Sequence, residues 1–562
     1  MPQFFTLRPP QSLLAPILFF ILIAVLEGCG GDSHPGSSAA IRVEAPPVAC
    51  PGVELATLAT VIHVAPSGID SDSCGDNPAT PCASIGAGIA RCSVAGCAVA
   101  VQHGLYPTTA SIVLRDAVSV HGSCRFSNEP EHFYRTVIQA APPPGEPAIA
   151  ASGINSATAL TGVVVIAKDE TAPGEASIAM RVAASGGLTL DAVTLAAGHG
   201  GDGAAGASMS GGPGGNGGSP ATLSNVGFGG DACPSAPPAA GGHGGAGRDA
   251  NRFSVDLTSC VLDCNCTPTG SSLLPGQSAG QSSGNAKGGE AGGNGAFGGN
   301  CAGHPLKDPT PLDGSSGEAG QIGDCTAAGG TRAADTSSFG KFVAGRWVGG
   351  QGGAGGTGGV GSGGGGGGTG GYAIYIGGNG LVEGYYGFPG GGGGGGGCGG
   401  NGGAGGQQGG ASIPLVLVDA SVANLASGAS LIPGPGGNGG AGGAGGAGGS
   451  GGVAGSAFNG GKVLRDYFFF RNVPMPGFGD SGGNGGNGGP GAGGAGGHGG
   501  PSVGIALVGN SPNTAPAGIY AGNPGGAGKQ GAGNANSQCR SADGQAGLQG
   551  ASASANRYVE GN

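Results

Sequence analysis

Much of this chain beats in threes. Between Asn438 and Val453 every third residue is something other than glycine: Asn438, Ala441, Ala444, Ala447, Ser450 and Val453. From Ser481 to Pro501 the same beat runs through Asn484, Asn487, Pro490, Ala495 and His498, with Ala492 intruding. Glycine supplies 140 of the 562 residues. That share without a period reads as low complexity, whereas a period of three matches the extended polyproline-II helix. In a Gly-Gly-X strand of that kind, two of three faces are bare backbone. Glycine loses more conformational entropy on ordering than any other residue, so an isolated tract does not fold. Either the tracts bundle and satisfy one another's N–H and C=O groups, or they are disordered spacers. A bulky residue at Gly443 or Gly486 destabilises a bundle and is silent in a spacer. Collagen does not fit, because its Gly-X-Y pattern needs abundant proline and the X position here is mostly a second glycine.

Only 9% of residues are charged, the formal charge is −11, and the basic residues form no cluster. That balance speaks against nucleic acid as a partner. The N-terminus is more informative. Arg8 precedes an apolar stretch, Leu13 to Leu26, broken only by Pro16. It is too short for a comfortable membrane span and suits the core of a signal peptide. It ends in Leu26-Glu27-Gly28-Cys29, which resembles the cleavage box of bacterial lipoproteins, although Glu27 departs from the usual small or apolar residue. The resemblance implies a signal peptide over 1–28 and lipidation of Cys29. It also implies a membrane anchor, placing the protein in the outer membrane or at the cell surface. An ordinary secretory peptide with an incidental cysteine is the alternative. Residues 29–60 begin with Gly, Ser and Pro and read as a tether.

Setting Cys29 aside leaves an even fourteen cysteines, which in an exported chain suggests up to seven disulfides. Cys74, Cys82, Cys92 and Cys97 are the first candidates, as two local pairs, Cys74/Cys82 and Cys92/Cys97. Cys260, Cys264 and Cys266 with His304 could pass for a metal cluster, but their spacing is not a standard zinc one.

Residues 61–140 read differently from the rest, and 61–197 are expected to form an N-terminal cap and the first β-helix coils. Val61–Ala65 and Ala98–Val101 suit strands, and Ile85 and Ile89 share one face of a short helix. The segment HVAPSGIDSDSCGDNPATPCASIGAGIARC, with AVAVQHGLYPTTASIVLRDAVSVHGSC after it, resembles the opening coils of pectin-lyase-like parallel β-helices. The resemblance runs from about Val61 to Gly122. It implies an all-β, right-handed parallel β-helix whose open end is capped by the helix. Downstream, apolar blocks such as Phe253–Leu262, Phe339–Val348, Tyr372–Ile376, Leu415–Val418, Val463–Val473 and Val503–Val508 alternate with glycine tracts. Their spacing is about twice one solenoid coil, leaving room for a glycine loop per repeat. Residues 198–562 are therefore expected to be solenoid coils with Gly-Gly-X loops, bundled as polyproline-II-like strands if the loops leave from one edge. In composition the tracts are similar to mycobacterial glycine-rich surface proteins.

Motifs for catalysis are weak. Gly479-Asp480-Ser481-Gly482-Gly483 spells the nucleophile motif of trypsin-like proteases, but their Ala-Ala-His-Cys signature is absent. Gly-x-Ser-x-Gly also surrounds Ser278, Ser282, Ser450 and Ser502, as so much glycine ensures. Pectin-lyase-like enzymes use a carboxylate-bound calcium with an Arg or Lys base, or clustered carboxylates. The residues available for that are Asp169, Glu170, Glu175, Arg181 and Asp191. Asp202, Asp231 and Asp480 stand alone and allow at most a loosely held calcium. Tyr385, Tyr386 and Phe468–Phe470 could stack on sugars or fill a core. Taken together, these features imply an envelope or surface lipoprotein with a structural, adhesive or polysaccharide-contacting role, no catalytic site and no bound cofactor. A polysaccharide lyase or hydrolase and a passive spacer are the alternatives.

Overall fold

The computed structural model describes residues 60–126, 135–222, 225, 227–231, 298–301, 316, 318–332, 340–367, 373–376, 382–385, 388–419, 421–426, 428–458, 477–511, 519–535, 538–558 and 560–561. All of these belong to one compact unit, Pro46–Asn562. The 1–28 leader, Cys29, most of the tether and the Cys260/Cys264/Cys266/His304 set lie outside the described residues, as do Tyr386 and Phe468–Phe470.

Alternating apolar residues build three parallel sheets. The first sheet stacks Val61–Val64, Ala98–Gln102, Ser119–Cys124, Thr158–Thr161, Leu188–Asp191 and Ala423–Leu425. The second stacks Gly104–Thr108, Thr136–Ala140, Val163–Ala167, Thr194–Ala196 and Ser430–Ile432. The third stacks Ile112–Leu114, Ile149–Ser152, Ser177–Ala183, Ser412–Val418, Ser502–Val508 and Ser552–Tyr558. From Ala98 to Val508 the chain visits first, second and third sheet in turn, repeatedly. Register puts like on like. Ile62, Val99, Val120, Leu160, Leu190 and Leu425 form one column in the first sheet. Tyr106, Ile138, Val165, Leu195 and Leu431 form another in the second. These columns meet in one continuous core. The fold is all-β and almost without helix.

The short helix Ile85–Arg91 starts at Ser84, whose hydroxyl accepts the Ala87 N–H at 3.1 Å. It lays Ile85 and Ile89 on the core. A Cβ at Gly88 would come within 2.5 Å of Val64 Cγ2, so only glycine permits this approach. Cys74–Cys82 and Cys92–Cys97 are disulfides, all four residues buried, and pin the loops around this helix.

The glycine tracts leave the stack after the second sheet, at Ala196 and again at Ile432, and return to the third at Ser412 and Ser502. A last excursion joins Val508 to Ser552. Outside the sheets the tracts hydrogen-bond to one another every third residue. In tract 388–411, Gly394, Gly397, Gly400, Gly403 and Gly406 donate to Gly483, Gly486, Gly489, Ala492 and Ala495. Gly395, Cys398, Ala404 and Gln407 donate to Asn216, Pro213, Ala207 and Ala204. Its carbonyls accept from Gly355, Gly358 and Gly361 on one side and from Gly443, Gly446 and Gly449 on another.

This tract explains the longest run of glycine. Phe388 to Cys398 are all buried. A Cβ at Gly394 would strike Gly452 O, one at Gly395 would strike Asp231 O, and one at Gly396 would strike Gly361 O, at 1.9, 2.2 and 1.8 Å. All three faces are covered, so Gly391–Gly397 admits no side chain. Segment 227–231 covers one face only as far as Gly395. Past it X side chains resume on that face with Cys398, Asn401, Ala404 and Gln407, Cys398 still buried and Asn401 exposed. Elsewhere the X residues close the hydrogen-bond account. Asp202, Asn438, Asn484 and Asn487 accept the backbone N–H groups of Asn438, Gly526, Ala454 and Gly451 at 2.7–2.9 Å.

Two expected coil strands are something else. The Phe339–Val348 block is an antiparallel hairpin, Lys341–Val343 with Arg346–Val348, because Ala344 and Gly345 take positive φ (48° and 75°) as a two-residue turn requires. Ala373–Ile376 lies in a separate mixed sheet with Gly298–Cys301 and Val382–Tyr385. Cys325–Cys539 links two outer tracts.

Candidate functional site

The hairpin places a charged cluster against the stack. Phe342 and Trp347 pack with Tyr558 in edge-to-face geometry, ring centroids 5.4–5.8 Å apart, over the outer face of the third sheet. That seat aims Arg346 at the turn containing Pro144 and Gly145. Its Nη2 donates to Pro144 O at 2.6 Å and lies 3.7 Å from Glu175 Oε2. From the adjoining strand, Arg181 Nη1 donates to Gly345 O at 2.9 Å. Lys168 Nζ sits 3.5 Å from Glu170 Oε2, and the Glu170 side chain is only 2% exposed. Burial pushes the Glu170 carboxyl above its usual pKa. Lys168 and the Gly145 backbone oppose that rise, and the nearby Glu175 charge adds to it. A Cβ on Gly145 would come within 2.3 Å of Glu175 Oε2, so glycine (φ 75°) is needed both for the turn and for the carboxylate.

Glu170, Glu175 and Arg181 are thus brought to one place, with Lys168 and Arg346. Asp169 is not part of it: its Oδ1 accepts the His199 N–H at 2.7 Å. Asp191 ends a strand of the first sheet, in register with Thr161. The cluster holds two carboxylates and three cations, and the cations pair with those carboxylates or with backbone carbonyls, an arrangement that docks the hairpin. The raised Glu170 pKa is the one property here suited to acid chemistry. Arg346 had a weak sequence signal, the alternation of Lys341–Val348 about Ala344-Gly345, which spells a hairpin and not a site.

The other motifs resolve individually. Ser481 N–H donates to Asp480 Oδ1 at 2.7 Å, and the Ser481 hydroxyl lies 3.5 Å from the same oxygen. His498 Nδ1 accepts the Leu548 N–H at 2.8 Å, seventeen residues along the tract (498 − 481). At about 3 Å per residue that is far out of reach of Ser481. Asp202 caps Asn438, and Asp231 O accepts the Asn216 N–H. Asp70 lies beside Cys74 and Cys82, but their sulfurs are spent on each other. At the N-terminal end a cavity of about 950 Å³ lies between the helix and the edge strands of the second and third sheets, lined by Ile85, Ile89, Leu105, Tyr106 and Val113. Comparison with protein-family models, curated proteins and solved structures finds no match.

Proposed function

We propose that this is an exported, lipid-anchored protein of the bacterial cell envelope, with a structural, adhesive or glycan-contacting role. Its architecture on this reading is a right-handed parallel β-helix carrying a bundle of polyproline-II-like strands. The cyclic return of the chain through three parallel sheets supports the solenoid. The right hand follows from the near-universal handedness of parallel crossovers. The observation that carries the functional reading is the three-residue hydrogen-bond lattice between tracts. Such a lattice makes a stiff projection out of backbone alone and leaves X side chains of its outer tracts, such as Asn438, Ala447 and Ser450, to face outward. The leader ending in Gly28-Cys29 and the disulfides support export.

A polysaccharide lyase or hydrolase is the second reading, favoured by the raised Glu170 pKa beside Glu175 and Arg181. The deciding experiment incubates residues 30–562 with purified polysaccharides and calcium, scoring binding and released sugars together. Binding without products is expected. Shortened or unsaturated products would overturn the non-catalytic reading, and absence of both would remove glycan contact from it.

A further inference from the structure

Five Asn-Gly pairs lie in the described tracts, at Asn216, Asn401, Asn438, Asn484 and Asn487. This dipeptide is where asparagine rearranges most readily, because glycine offers no side chain to hinder attack by its own nitrogen. In that step the deprotonated glycine nitrogen bonds to asparagine Cγ, and Nδ2 departs as ammonia with a proton from water. Water then opens the succinimide at either carbonyl, leaving aspartate or isoaspartate. The reaction needs an available glycine N–H and a carboxamide free to turn.

The lattice withholds both from three of the five. Gly439, Gly485 and Gly488 donate their N–H groups to Gly526, Gly452 and Gly449 at 2.8–2.9 Å. The carboxamide oxygens of Asn438, Asn484 and Asn487 accept from Gly526, Ala454 and Gly451. The other two pairs differ. Asn216 and Asn401 have exposed side chains, and among the described residues neither these side chains nor the N–H groups of Gly217 and Gly402 have a hydrogen-bond partner. Asn401 lies on the same face as Gly392 and Gly395, two triplets past the last position that segment 227–231 covers.

We propose that Asn216 and Asn401 are the spontaneous deamidation sites of the glycine bundle, and that Asn438, Asn484 and Asn487 are protected by it. The consequence is greatest at Asn401. Isoaspartate adds a methylene to the backbone of a tract bonded every third residue. Asn401 O accepts from Gly446, and Gly403 donates to Ala492; these are the bonds that lose register.

The full chain is held in mildly alkaline buffer made with ¹⁸O-water, digested, and mapped by mass spectrometry for each Asn-Gly peptide. Breaking two ordinary hydrogen bonds corresponds to about thirtyfold, so Asn216 and Asn401 should convert at least that much faster than the other three. In strong denaturant all five rates should converge. Equal rates in the folded chain, whether all fast or all slow, overturn the proposal, as does a spread that persists in denaturant.

Discussion

Replacing Gly443 by alanine adds one methyl group where three tracts converge. Gly443 N–H donates to Ala404 O at 2.8 Å, its carbonyl accepts from Gly494 at 2.9 Å, and its Cα faces a third tract. There the new Cβ would stand 2.0 Å from Ala207 O and 2.5 Å from Ala207 C. Carbon and oxygen rest no closer than about 3.3 Å, so the tracts must part by roughly 1.3 Å. That separation stretches the two bonds of Gly443 and the neighbouring bonds from Gly206 to Ala441 and from Met209 to Ala444 beyond useful length. Four bonds at about 1 kcal/mol each give about 4 kcal/mol. The smaller unfolded-state entropy of alanine returns about 0.5–1 kcal/mol, leaving a net loss near 3 kcal/mol. Denaturant titration measures it, and hydrogen exchange should show faster opening of tracts 201–215 and 438–453. Gly526→Ala is the control, since its Cβ would meet only the end of the Asn438 side chain, at 3.0 Å. Gly486→Ala, 1.9 Å from Gln321 O, should behave like Gly443→Ala. Equal stability of Gly443→Ala and Gly526→Ala would refute the lattice as the source of order.

Two further outcomes follow from the cluster and the outer disulfide. Glu170 has a folded pKa above its ordinary 4.5, so between those values the folded state binds the extra proton and stability falls as pH rises through the folded pKa. Glu170→Gln should therefore be more stable than the parent at neutral pH and lose that advantage in acid, as thermal melts across pH would show; an unchanged slope would contradict the burial of an ionised carboxylate. Cys325–Cys539 spans 214 residues and is partly exposed, whereas Cys74–Cys82 and Cys92–Cys97 are buried. The chain-entropy model assigns a loop of that length about 5 kcal/mol. Mild reductant, or Cys325→Ser with Cys539→Ser, should lower the melting temperature while mass mapping still finds Cys74–Cys82 and Cys92–Cys97 intact; an unchanged melt would show that the outer tracts hold without it.

How much of this was legible in the chain depends on whether a residue's role is local. The period of three is local, and so is the alternation of Val99, Val101, Val163 and Val165 that marks their strands. What a tract touches is not. Gly391–Gly397 and Gly439–Gly440 are the same residue type in sequence, yet the first run is enclosed on three faces while Asn438 and Ala441 find an open face beside the second. A regular Gly-Gly-X window does not name its partners, because those, such as Asp231 and Gly361, are far away in the chain. The charged cluster shows the same division. Glu170, Glu175 and Arg181 were legible as residue types near the first coils, but Arg346 reaches Pro144 only because Phe342 and Trp347 find Tyr558 near the C-terminus. The break in the Gly-Gly-X beat is the one long-range fact that the sequence does record: where the third glycine replaces X, another tract lies over that face. In Ser362–Gly367, Gly364 and Gly367 keep the phase of Gly355, Gly358 and Gly361 and meet Gly483 O and Asp480 O at 2.1 and 1.9 Å. An X residue introduced at either position should then open the bundle as surely as one at Gly443.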